Sequence, residues 1–138
     1  MSVAENKAIV GRWSEELWSQ GNLAVADAIV APDYLRHDPG DPFPARGPED
    51  VKRLVGMLRT MLPDLTIEIE DIIGEEDKVV IRYTAVGTDT NGFMGHPPTG
   101  KVTRAAAIQI FRLANGMIVE SWAVRDDLGV LRQLGHVG

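Results

Sequence analysis

The sequence predicts an α+β domain in which three helices come first, an antiparallel sheet follows, and a short helix closes the chain. Three observations carry that reading. Apolar residues recur at helical spacing as far as Leu62, the period changes to alternation after Pro63, and Asn115-Gly116 marks a tight hairpin between the last two strands.

Ile9, Trp13 and Leu17 lie on one side of a first helix, and Ala8 and Trp18 widen its apolar stripe. Gly21-Asn22 ends that helix and offers a cap for a second, "LAVADAIVA", which Pro32 stops. The segment from Asp33 to Pro48, rich in Pro and Gly, is predicted as loop, with room for a very short strand at Tyr34 to His37. A third helix begins at Pro48, carries acids in its first turn, and sets Val51, Leu54, Val55, Leu58 and Leu62 along one side. Beyond Pro63, Leu65, Ile67 and Ile69 alternate with polar residues as a strand. "GEED" turns the chain into a long strand through Thr90, and "NGFMGHPPTGK" is a long connection. "VTRAAAIQIFRL" and "MIVESWAVR" form the hairpin, and "LGVLRQLG" the last helical turns. The predicted sheet is thus a four-stranded antiparallel meander. Long twisted strands wrapped over helices form a cone, and a cone can hold a pocket.

Composition narrows the function. A chain of 138 residues is one domain, residues 1–138, with no internal repeat. The net charge of -6 and the lack of a basic cluster argue against a nucleic-acid partner. Without Cys there is no disulfide, thiol nucleophile or thiolate zinc site, and three scattered His residues make no metal site. No apolar run approaches a membrane span, so a cytoplasmic protein without membrane association is expected.

The pieces "RWSEELWSQGNL", "APDYLRHDP", "GPEDVKRLVGMLRTMLPDLTIEIED", "VVIRYTAVGTDTNGFMGHPPTGK", "FRLANGMIVE" and "LGVLRQLG" follow one another over nearly the whole chain. In that order they resemble the SnoaL-like polyketide cyclases, a branch of the cone-shaped superfamily that includes nuclear transport factor 2. The resemblance implies an NTF2-like cone, with three N-terminal helices on a strongly curved antiparallel sheet. It also implies ring closure by intramolecular aldol condensation with no metal or organic cofactor. In the family an Asp near the end of the last long strand is the acid/base group, and a His on the neighbouring strand holds the enolate. A match without gaps puts those positions at Ala123 and Gln109. Ala123 transfers no proton and Gln109 offers only hydrogen bonds, so the resemblance supports the scaffold and not the family's usual reaction.

Alternation assigns Ala105, Ala107, Gln109 and Phe111 to one face of the first hairpin strand, and Val119, Ser121, Ala123 and Arg125 to the same face of the second. These residues are small, which leaves volume for a cavity unless Trp13 and Trp18 fill it. Trp18, Tyr34, Tyr83 and Phe93 are candidates for its aromatic lining or for the core. The middle strand offers two sets, one with Val79, Ile81 and Tyr83 and one with Val80, Arg82 and Thr84, and the sequence does not choose between them. The opposite face of the hairpin, with Ile108, Ile110, Trp122 and Val124, is apolar enough to need cover, and a second subunit is the expected cover.

Three residues are candidate acid/base groups. Imidazole is the side chain suited to moving protons near neutral pH, which makes His37 a candidate, and the resemblance brings its loop towards the cavity; the structural alternative has it satisfying loop carbonyls beside Asp38. Asp126 matches an Asp commonly found in the family just before the last helix, where it either caps that helix or steadies a pocket group. Of the pair Asp126-Asp127, Asp126 is the expected functional one. Asp89 sits where relatives often have His, or serves as a strand-end Asp. His96 is expected at the surface and His136 in a solvated tail.

The leading function is a cofactor-free enzyme of cyclase, isomerase or hydratase type. It would act on an apolar, polyketide-like small molecule, with His37 and Asp126 or Asp89 moving protons and Gln109 orienting a substrate oxygen. The alternatives are a non-catalytic ligand-binding dimer with the same cavity, and a structural dimer whose cone is plugged by aromatic residues.

Overall fold

A computed structural model describes residues 1–137; Gly138, the last residue of the expected domain, lies outside the described residues. Helix α1 (Val3–Arg12) starts at a capping box: Ser2 Oγ accepts the Glu5 N–H at 3.1 Å, and Glu5 Oε1 accepts the Ser2 N–H at 3.2 Å. At Trp13 the α-helix widens into a π-helix, Trp13–Ser19, in which the Gln20 N–H reaches the Glu15 carbonyl at 2.9 Å. The expected regular helix through Trp18 is corrected here. Its end is held by tertiary bonds, since Arg59 donates to the carbonyls of Trp18 (2.9 Å), Ser19 (3.0 Å) and Leu65 (2.7 Å).

Helix α2 (Val25–Ile29) is shorter than expected, and neither Asn22 nor any other side chain caps it. The chain then enters a strand the sequence all but hid. The elements in order are β1 (Val30–His37), α3 (Gly47–Met61), β2 (Thr66–Glu75), β3 (Lys78–Thr88), β4 (Val102–Ala114), β5 (Met117–Arg125) and α4 (Asp127–Gln133). The curved sheet has the order β1-β5-β4-β3-β2, and β1 runs parallel to β5 while every other pair is antiparallel. Five strands thus replace the expected four-stranded meander. Pro32 does not end β1; it sits at the sheet edge, exposed, inside the irregularity between Val30 and Leu35 where no ladder N–H is needed.

Helix α3 begins as expected, with Pro48 in its first positions and Glu49 and Asp50 in its first turn. Gly47 has φ +68, and a Cβ there would stand 3.0 Å from the Pro32 carbonyl oxygen, so the approach of α3 to β1 requires glycine. The hairpin between β4 and β5 turns through Asn115 (φ 53) and Gly116 (φ 76), the left-handed pair that the Asn-Gly signal predicts.

Two bulges adjust the faces. One between Ile69 and Asp71 leaves Ile69 36% exposed and turns Ile72 towards the core, where Ile69 was expected to stay. The other skips Val119, so Ile118, and not Val119, is fully buried on the inner face of β5. On β3 the structure chooses Val79, Ile81 and Tyr83 as the inner set. The helices pack on that concave face, and no described helix is long and apolar enough to cross a membrane.

Candidate active site

The cone is filled at one end and open at the other. At the filled end, Trp13 meets Phe111 edge-on at 5.4 Å and Tyr34 at 6.1 Å. The Tyr34 hydroxyl shares a 2.6 Å hydrogen bond with Ser121 Oγ, which also accepts the Gln109 side-chain amide at 3.3 Å. Tyr34, Ala107, Phe111 and Ser121, expected to line the pocket, are therefore packed in or beside this aromatic plug, and Ala123 is buried away from the cavity lining. Burial pushes the Tyr34 phenol up, with Arg36 acting in the opposite direction.

At the open end lies a cavity of about 460 Å³. Trp13, Ser14 and Trp18 reach it from the π-helix, where residues five apart come side by side; the Trp13 and Trp18 rings are 6.3 Å apart. Met57, Leu58 and Met61 of α3 form a second wall, with Ile81, Tyr83 and Ala105 of the sheet opposite. Phe93 and Met94, from the long connection, and Val130 of α4 complete the apolar lining. Trp18, Tyr83, Phe93, Ala105, Gln109 and Arg125 are thus brought to the cavity as expected from the sequence.

One end of the cavity is polar. Tyr34 faces inward on β1, so alternation points Arg36 inward as well and His37 outward. Arg36, almost fully buried, donates from Nε to Asp41 at 2.7 Å and from Nη2 to Asp38 at 3.1 Å. Arg125 lies 3.2 Å from Asp38, 3.5 Å from Asp41 and 3.5 Å from Asp127. Arg36, Arg125 and Asp127 are on the cavity lining, as are Gly40 and Pro42 on either side of Asp41. Burial pushes the Asp41 carboxyl up, and its contact with Arg36 opposes that shift without cancelling it. The carboxylates hold Arg36 charged despite its burial. Gly40 gives this corner its tightness, since a Cβ there would come 2.6 Å from Asp127 Oδ2. Arg36 and Asp41 escaped the sequence reading, Asp38 entered it only as a neighbour of His37, and Asp127 was passed over for Asp126, although the spacing of Tyr34 and Arg36, and of Arg125 and Asp127, was there to be followed.

The three expected acid/base residues lie elsewhere. His37 is on the outer face, where Nε2 meets Glu120 at 2.8 Å and the ring stacks on Trp122 at 5.5 Å. That hydrogen bond, and after it Arg112, holds Glu120 below the usual carboxylate range. Asp126 is exposed and caps α4, accepting the Gly129 N–H at 2.8 Å, and of the acidic pair it is Asp127 that lies on the cavity lining. Asp89 is fully buried and pins the long connection, accepting the Thr99 N–H (2.9 Å) and hydroxyl (2.8 Å). The reason is the same for the first two: one residue of parity decides which side of the sheet or turn a side chain takes. Gln109 and Ala123 pair directly in the β4–β5 register, and the bulge in β5 lies too far away to bring Asp126 into their place. His96 is exposed as expected, whereas the His136 ring stacks on it at 3.9 Å and buries its Nε2. Among the described residues no group of three or more His, Asp or Glu is placed to hold a metal ion.

A helical wall on a curved sheet, closed by a long connection and a terminal helix, is the architecture of the NTF2-like cone. The family model "SnoaL-like polyketide cyclase" matches residues 8–134, and the chain belongs to that family. Among solved structures it is similar to IdmH, a candidate polyketide cyclase from Streptomyces antibioticus, at 30% identity and a TM-score of 0.84, covering 94% of this chain and 98% of that one. A candidate polyketide cyclase from Acidithiobacillus ferrooxidans shares 30% identity over 100% of both chains, with a TM-score of 0.88. AclR, a candidate hydroxylase from Streptomyces galilaeus, shares 28% identity over 99% of this chain and 89% of that one, with a TM-score of 0.86. No curated protein sequence matches this chain.

Proposed function

We propose that the chain is a cofactor-independent enzyme of cyclase or isomerase type, acting by proton transfer on an apolar, polyketide-like compound. The observation that carries this reading is the cavity itself. It is large enough for a small fused-ring molecule, apolar on its walls, and supplied with a carboxylate, Asp127, at its polar end. Proton abstraction beside a carbonyl needs a positioned base and a dry site that strengthens electrostatic contacts with the bound molecule. Asp127 takes the role of base; Gln109 orients the substrate from the floor. Ala123 supplies no carboxylate, so the family's usual position is not the base in this proposal.

The test uses no knowledge of the natural substrate. A soluble fused-ring ketone is incubated with the protein in D₂O, and exchange of its α-protons is followed by NMR. Exchange is expected to be accelerated by the wild type and to fall by roughly 10²–10⁴-fold in Asp127→Asn. Equal exchange in the two proteins would transfer the role to another group. A ligand bound tightly with no exchange in either would favour the second reading, a binding protein, which the Ala at position 123 supports.

The proposed assembly is a homodimer through the outer sheet face. Ile108 and Val124 are 53% and 65% exposed there, and Trp122 is 37% exposed, a patch that a two-fold partner of the same shape would cover.

A further inference from the structure

The sheet wall of the cavity holds a phenol that nothing in the chain employs. Tyr83 is almost fully buried, lies on the cavity lining, and its hydroxyl has no hydrogen-bond partner among the described residues. A hydroxyl on a cavity wall with no partner in the chain is free to pair with a ligand that brings an acceptor. Arg36, Arg125 and Asp127 lie on the lining of the same cavity, so the phenol and the ionic cluster share one space.

The cluster itself restricts the ligand. Arg36 and Arg125 face Asp38, Asp41 and Asp127, so two guanidiniums meet three carboxylates. Even with Asp41 protonated, each cation is matched by a carboxylate. An anionic ligand would bring its charge into a partly desolvated corner with no surplus cation to receive it. A neutral oxygen acceptor carries no such penalty.

We propose that the Tyr83 hydroxyl receives a neutral carbonyl oxygen of the substrate, and that the site selects ketones over carboxylates and phosphates of the same ring size. This inference rests on the proposed acid/base reading of the same cavity. Tyr83 donates to the oxygen on which charge develops as Asp127 removes the adjacent proton, so the C–H electron pair moves into the ring-side C–C bond and the carbonyl pair onto oxygen. The proton on Asp127 returns to carbon, to the oxygen, or to the new alcohol of an aldol product, and no external oxidant or reductant takes part. Burial pushes the Tyr83 phenol above the usual tyrosine range, which keeps it a donor throughout the neutral range.

The experiment compares three probes of nearly equal shape: 2-acetonaphthone, 2-ethylnaphthalene and 2-naphthoate. Their affinities are read by quenching of tryptophan fluorescence, since Trp13 and Trp18 form the wall. The wild type is expected to bind the ketone roughly five- to tenfold more tightly than the hydrocarbon, the worth of one net hydrogen bond. Tyr83→Phe is expected to remove that preference while leaving the hydrocarbon affinity in place, and the naphthoate is expected to bind more weakly than the ketone. The preference should stay flat from about pH 6 to about pH 9, because the phenol does not ionise there. A ketone preference that survives in Tyr83→Phe, or its absence in the wild type, overturns the inference. So does naphthoate binding as tightly as ketone, a measurement that needs no variant to fold. These outcomes are separate from the D₂O exchange, which reports the base; loss of exchange in Asp127→Asn with no ketone preference would leave the reaction standing and remove Tyr83 from it.

Discussion

The two faces of the β4–β5 hairpin are built from one alternation and do opposite things. Inward, Ala105, Ala107, Gln109, Ser121 and Ala123 are small or polar and fully shielded. Outward, Ile108, Ile110, Trp122 and Val124 are large and apolar yet reach the surface. A sheet that merely needed a core would have the reverse, with bulk inside and polar residues outside. The inversion shows that the inner face gives up packing volume to make space, and that the outer face carries the exposed apolar area that the proposed dimer would cover.

The outer face can be broken most severely. Ile110→Glu should weaken the dimer by about a hundredfold or more, because an unpaired carboxylate buried in an apolar interface costs several kcal/mol. Sedimentation of variant and wild type over a concentration series measures it, and a wild type that stays monomeric would end the proposal. The inner face is sharpened by a smaller change. Gly40→Ala should displace Asp127, whose Oδ2 lies 2.6 Å from the added methyl, and leave the fold intact because only a flexible side-chain end must move. A shift of that size is expected to slow D₂O exchange by roughly tenfold to a hundredfold, with unchanged circular dichroism. The least effect belongs to His37→Gln. His37 stands on the outer face against Glu120 and Trp122, so exchange should proceed at the wild-type rate. A large loss there would mean that the outer face takes part in catalysis, and the contrast between the faces would fail.

How far the sequence could be read follows from the kind of signal each feature leaves. Helix α3 announced itself through Pro48, its acidic first turn and its apolar side, and the β4–β5 turn through Asn115-Gly116. Strand β1 did not, because it is parallel, carries Pro32, and gains its stability from pairing with residues more than eighty positions away. The site suffered from the same problem in finer form. His37 and Asp126 were attractive for their chemistry, but each is one residue from the group that faces the cavity, Arg36 in the first case and Asp127 in the second. Chemistry suggested the right segments; only the backbone direction could choose within them. Tyr83 was found among aromatic lining candidates, but its unpaired hydroxyl is a property of the whole surrounding shell and has no local trace.

The π-helical turn at Trp13–Ser19 bears on how such a pocket changes over generations. In an ordinary α-helix five residues carry a side chain about 140° around the axis, so Trp18 would leave the wall that Trp13 lines. The wider turn absorbs one residue and keeps the two rings together. Deleting a residue between them would return an ordinary α-turn with the two tryptophans four apart, still neighbours on one face. Substitutions along the wall trim the space a side chain at a time, whereas this turn lets the helix gain or lose one residue of length and keep its tryptophan pair.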